Sequence, residues 1–130
     1  MTNLDYWGKH LICNCSNCNI NITKKEIIKE FILKLCCITY MTPIGDVIFY
    51  EVEKTKENDE ADLTGLTAFQ MIKTSNITIH FCEPSKSLYL DFFSCKTYNE
   101  EDVIDLIKVY FRPERTNSKI VLRDANKDLN

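Results

Sequence analysis

At 130 residues the chain has room for one domain, and 45% apolar with 27% charged residues is the make-up of an ordinary globular protein. Sixteen basic against nineteen acidic side chains leave a net charge of −3, which gives no electrostatic footing for nucleic acid as a partner. No apolar run approaches the ~20 residues of a membrane span and the polar N-terminus does not read as a signal peptide, so no membrane partner is expected and the cytoplasm is the expected location.

The first predicted element is a strand from Tyr6 to Cys15, carried by the run Trp7, His10, Leu11, Ile12 and Cys13. The Asn-rich stretch Ser16 to Ile22 turns the chain. Thr23, followed three residues later by Glu26, has the form of a capping box. Behind it Ile27, Ile28, Phe31, Ile32 and Leu35 recur at helical spacing through about Ile38. Pro43 and Gly45 interrupt the pattern, Val47 to Val52 reads as a strand, and the charged run Lys54 to Asp62 as the longest loop. Three strands follow closely: Thr67 to Lys73, Ile77 to Cys82 and Leu88 to Ser94. Asn99 caps a second helix from Glu100 to Phe111 with Val103, Ile104, Ile107 and Tyr110 as its stripe, and Pro113 ends it. Lys119 to Leu122 is a short last strand, and the tail from Asp124 is expected to fray.

The order β-α-β-β-β-β-α-β predicts a single α+β domain over residues 1–130, a two-layer antiparallel sheet with both helices on one face. Strand side chains alternate between faces, so Phe69, Met71, Ile77, Ile79, Leu90 and Phe92 cannot all lie under the helices. Apolar surface left on the second face predicts a homo-oligomer, with a dimer favoured.

Seven cysteines is an odd count without an export signal, which argues against a disulfide scaffold. Cys13, Cys15 and Cys18 have a spacing that suggests zinc, but no second pair completes a familiar ligand set, so no metal is expected. Small buried thiols account for Cys13, Cys36 and Cys37. His10 and His80 are the only histidines, each within an apolar strand. Three glycines in all exclude glycine-rich phosphate loops.

Several segments together resemble the prokaryotic S-adenosylmethionine decarboxylases. Trp7-Gly8-Lys9-His10-Leu11-Ile12, with Cys18 beyond it, is similar to their opening strand. Thr74-Ser75-Asn76-Ile77-Thr78-Ile79-His80 resembles their maturation segment, usually Glu-Ser-His before an apolar-x-Ile-His run. Asp91-Phe92-Phe93-Ser94-Cys95 is similar to their Asp-x-Phe-Thr-Cys strand, and Phe111-Arg112-Pro113 to the end of their second helix. The likeness runs from about Trp7 to Arg123 without a gap between serine, histidine and cysteine.

The resemblance implies a self-cleaving proenzyme of polyamine biosynthesis whose cofactor is a pyruvoyl group derived from Ser75. In that family the serine hydroxyl attacks the preceding carbonyl, the ester eliminates, and the new ketone forms a Schiff base with the substrate amine. Carried over, the cut falls between Thr74 and Ser75, His80 is the processing histidine, and Thr67 stands where a second processing hydroxyl is usually a serine. Cys95 matches the cysteine that returns a proton after carbon dioxide leaves; a thiol near pKa 8.5 suits that task. For an S-adenosylmethionine-type ligand, Tyr6, Trp7 and Phe81 are the candidate aromatic contacts and Glu83 the carboxylate for the ribose hydroxyls.

The processing residues are kept, and the departures lie at the leaving side of the cut and at ligand positions. Thr74 and Asn76 replace the usual glutamate and histidine, Asn14 an aspartate, and Glu83 comes one residue early. They admit two alternatives: an unprocessed lyase that releases methylthioadenosine from the same type of substrate with no cofactor, and a pyruvoyl decarboxylase of ornithine or arginine.

Overall fold

The computed structural model describes residues 5–53 and 62–129, so most of the charged run after Glu53 lies outside the described residues. The chain runs β1 (Gly8–Ser16), α1 (Lys25–Ile38), β2 (Pro43–Val52), β3 (Gly65–Ile72), β4 (Ser75–Cys82), β5 (Ser87–Ser94), α2 (Glu100–Phe111) and β6 (Arg115–Arg123). All six strands join one antiparallel sheet in the order β2-β3-β4-β5-β1-β6. Both helices cover one face, the predicted two-layer α+β arrangement. No helix among the described residues is long and apolar enough to cross a membrane.

Alternation divides the strand residues as the pleat requires. Leu11, Cys13, Ile77, Ile79, Leu90 and Phe92 point under the helices and are fully buried or nearly so. Phe69 and Met71 point to the other, uncovered face, where Met71 joins Ile44, Ile48, Tyr50 and Tyr89 as exposed large side chains. Only two of the six apolar residues expected to be shared between the faces therefore serve the uncovered one.

Helix α1 forms because Ile28, Phe31, Ile32, Leu35 and Cys36 recur on one side and bury together. Its start differs from the expected capping box. Asn19 instead caps a short 3-10 turn, Ile20–Thr23, accepting from the Asn21 N–H, and this turn draws in Thr23, whose hydroxyl donates to the Ile20 carbonyl. Lys24 becomes the N-cap, without a side-chain hydrogen bond. Helix α2 has the expected limits: Asn99 accepts from the Glu101 N–H, three acidic residues complement the first turn, and Arg112 closes it in the left-handed region at φ 43°. Phe111 joins the layers, with its ring 5.0 Å from Phe31 and 5.5 Å from Phe81.

Both edge strands are longer than expected. β2 begins at Pro43, before a register shift between Ile44 and Ile48; Gly45 at φ +71° carries the kink, and buried Gln70 donates to the Ile44 and Gly45 carbonyls. β6 pairs with β1 along its whole length, from Gly8 opposite Arg123 to Ser16 opposite Arg115. Its polar first half carries no periodic signal, and the ladder to β1 alone makes it a strand. The expected frayed tail is tied down at its start, where Asp124 accepts from the Asn126 N–H and the Lys127 ammonium donates to the Asp5 carbonyl.

Candidate active site

The turn between β3 and β4 is tight. Ile72 pairs with Ser75, leaving Lys73 and Thr74 as the turn residues. Ser75 is held at φ +144°, a conformation costly for any residue with a side chain. The peptide before it is gripped from several sides. The Thr74 carbonyl accepts a hydrogen bond from the Cys95 N–H at 3.1 Å. The Thr74 hydroxyl accepts from Ser94 Oγ at 2.8 Å and lies 3.4 Å from Met41 Sδ. Ser94, almost wholly buried, in turn accepts from the Lys96 N–H at 3.0 Å. A strained serine thus adjoins a fixed carbonyl that already carries a backbone donor on its oxygen. That is the arrangement needed to stabilise an oxyanion if the serine hydroxyl attacks.

Thr67 and His80 form a second pair. They face each other across β3 and β4 on the uncovered face, with Thr67 Oγ1 3.0 Å from His80 Nδ1. Five residue steps along β4 take the chain from Ser75 to His80, roughly 17 Å at about 3.3 Å per residue. The four residues carried over from the resemblance are therefore gathered two by two, Ser75 with Cys95 and Thr67 with His80, at opposite ends of β4.

The candidate ligand contacts also separate. Trp7 is exposed and its ring leans on Phe93, 5.9 Å between centroids, at the Ser75 end of the sheet. Tyr6 is half-buried near Tyr98, whose phenol is raised chiefly by burial, with Glu100 and Tyr6 adding to the rise. Phe81 is a correction: it follows the outward His80, so the pleat turns it into the core against Phe111, where it is 3% exposed and cannot reach a ligand on the uncovered face. Glu83 is half-buried in the β4–β5 turn at the His80 end, its N–H donating to the Thr64 carbonyl.

One pairing was missed from the sequence. His10 Nε2 lies 2.9 Å from Asp91 Oδ1 on the uncovered face. Both residues were visible, but 81 positions separate them and only the β1–β5 register makes them neighbours. Lys9, on the covered side of the same strand, is buried with its ammonium 2.8 Å from Glu100 and over the Tyr98 ring. The lysine holds the Glu100 carboxyl below its ordinary value. The Tyr98 hydroxyl donates to the Phe92 carbonyl at 2.9 Å. Together these contacts pin the segment that carries Cys95 to the end of the sheet.

Cys13 and Cys15 share the covered face of β1, with their sulfurs 3.9 Å apart. Their mutual hydrogen bond raises the Cys13 thiol and lowers that of Cys15. Burial pushes Cys18 up to about 12 and Cys36 to about 11, which makes both inert at neutral pH. Among the described residues no three His, Cys, Asp or Glu side chains are placed to hold a metal ion.

At one end of this two-layer α+β sheet a strained serine and the Cys95 N–H converge on the Thr74 peptide. The sequence model of the family described as S-adenosylmethionine decarboxylase matches residues 9–124, and the chain belongs to that family, which is one of carboxy-lyases. No curated protein sequence matches it. Among solved structures it is similar to the adenosylmethionine decarboxylase from Aquifex aeolicus VF5, with a TM-score of 0.77 and 17% identity, over 96% of this chain and 97% of that one. At that identity the likeness is one of fold.

Proposed function

We propose that the chain is a pyruvoyl-dependent S-adenosylmethionine decarboxylase that cleaves itself between Thr74 and Ser75 and acts as a face-to-face dimer. The observation that carries the proposal is the Cys95 N–H on the Thr74 carbonyl beside a serine at φ +144°. Attack by Ser75 Oγ on the Thr74 carbonyl carbon forms a C–O bond and breaks the C–N bond. The hydroxyl proton passes to the freed nitrogen, and the backbone strain at Ser75 is released. The Cys95 N–H stabilises the oxyanion on the way. Loss of the Ser75 Cα proton then expels the Thr74 carboxylate, and hydrolysis with release of ammonia leaves the ketone. A pyruvoyl group at this position supplies an electron sink as carbon dioxide leaves.

Within one copy His80 cannot serve Ser75, because they stand roughly 17 Å apart along β4. A two-fold axis lying between two uncovered faces and running across the strands resolves this. It reverses strand direction but preserves lateral order, so the Ser75–Cys95 end of one copy lies over the Thr67–His80 end of the other. Packed sheets lie about 10 Å apart, a distance that side chains from both faces span. The exposed Ile48, Tyr50, Met71 and Tyr89 supply the apolar surface for such a contact. His80, its Nδ1 oriented by Thr67, then takes the proton in the elimination step, and Cys95 returns one to the product carbon. Trp7, at the Ser75 end, offers an aromatic face to the adenosyl group.

Intact-mass measurement tests the proposal. Two fragments that part before residue 75, the second beginning with a ketone in place of an amine, are expected. A single 15.2 kDa species after prolonged incubation would overturn it.

A further inference from the structure

A cleft of about 650 Å³ opens beside the start of β1, walled by Trp7, Phe93, Arg123, Asp124 and Lys127. Phe93 is its hub. The Arg123 guanidinium lies over the Phe93 ring at 4.4 Å, and the Trp7 ring leans on Phe93 from another side. The ring's position is built into the sequence. A Cβ at Gly8 would come within 2.8 Å of Phe93 Cε1 and 3.2 Å of the Ser94 carbonyl, so only glycine lets the ring lie across β1.

Stacking uses the flat face of a guanidinium and leaves its N–H donors pointing outward along the edge. Among the described residues Arg123 has no carboxylate ion pair, and Asp124 already accepts the Asn126 N–H. Lys127 adds a second positive charge at the rim, anchored on the Asp5 carbonyl. An exposed indole, a guanidinium with no carboxylate ion pair among the described residues and a nearby ammonium line the cleft together with the Asp124 carboxylate.

We propose that this cleft binds a nucleoside monophosphate: the base stacks on Trp7 and the phosphate takes the Arg123 edge, with Lys127 supplying the second charge. Two cations against the one carboxylate of Asp124 leave the opening net positive, and the guanidinium edge suits the several acceptor oxygens of a phosphate. The site shares Trp7 with the adenosyl contact proposed above and rests on no other part of that reading. A ligand held here would exclude an adenosyl substrate from the same indole.

Trp7 is the only tryptophan in the chain, so its fluorescence reports on the cleft directly. The full chain is titrated with AMP, adenosine and inorganic phosphate at constant ionic strength, with circular dichroism as a folding control. AMP is expected to quench saturably with a Kd at least tenfold below that of adenosine, and phosphate alone not to quench. Arg123→Met is expected to bring AMP to the level of adenosine without altering adenosine itself. Lys127→Met is expected to weaken AMP several-fold and lower its salt dependence. Equal binding of AMP and adenosine, or an AMP affinity untouched by Arg123→Met, overturns the anion site even if adenosine binds and the chain cleaves itself. A chain that prefers AMP but never cleaves overturns the decarboxylase reading and leaves this one standing.

Discussion

If one copy supplies Ser75 and Cys95 and the other Thr67 and His80, two inactive variants should rescue each other. Ser75→Ala removes the nucleophile and leaves an intact His80; His80→Ala does the reverse. In a mixed dimer one composite site joins the intact Ser75 to the intact His80, while the other site lacks both. Random pairing at equal expression makes about half of the dimers mixed, with one live site of two, so about a quarter of all chains should be cut. All of those cut chains carry His80→Ala, and about half of that variant is therefore processed. The assay is co-expression from one vector followed by intact-mass analysis, which distinguishes the variants by mass. Each variant alone should stay whole. No cleavage in the mixture, when wild type does cleave, would refute assembly of the site from two copies. Cleavage of His80→Ala alone at the wild-type rate would remove His80 from the reaction altogether.

Truncation of Phe81 should act on stability and not on ligand binding. Phe81→Ala opens a cavity against Phe111 and is expected to cost about 3–5 kcal/mol. At about 2.1 cal/mol/K per residue this lowers Tm by roughly 15 °C, while Phe81→Leu, with a much smaller loss, should bind adenosyl ligands like wild type in calorimetry. The Lys9–Glu100 pair predicts a pH effect. Lys9 lowers the folded-state pKa of Glu100 from its ordinary 4.5, so between the two values the unfolded chain binds more protons. The pair's contribution is therefore full above about pH 4.5 and is lost as pH falls through the lowered folded value. Urea unfolding at a series of pH values should show a shallower acid decline for Glu100→Gln; an unchanged slope would count against the pair.

Much of the fold could be read from local pattern. Helix α2 was legible to the residue because a capping asparagine, an apolar stripe and a following proline all act within a few positions of one another. The core strands β3, β4 and β5 announce themselves by alternation, and the same alternation, once the covered face is known, decides that His80 looks outward and Phe81 inward. Where signals compete locally the sequence misleads: Thr23 and Glu26 have the form of a capping box, but the turn begun by Asn19 draws Thr23 in and leaves Lys24 as the N-cap. The polar half of β6 has no pattern of its own and is a strand only because β1 offers it a ladder.

The site divides along the same line. The resemblance singles out Ser75, His80, Cys95 and Thr67 by their spacing along the chain, which is a local property, as is the pattern that makes strands around Thr67, Ser75 and His80. Their distances from one another are not local. The two-residue turn at Lys73 and Thr74 sets the register that places Thr67 beside His80 and leaves Ser75 at the far end of β4. The return of the chain after β5 brings the Cys95 N–H onto the Thr74 carbonyl. His10 with Asp91, and Arg123 over Phe93, likewise exist only through pairings between strands far apart in sequence. Residue type and periodicity are written locally, whereas hydrogen-bond register between distant strands is a global choice made by burying one face of the sheet.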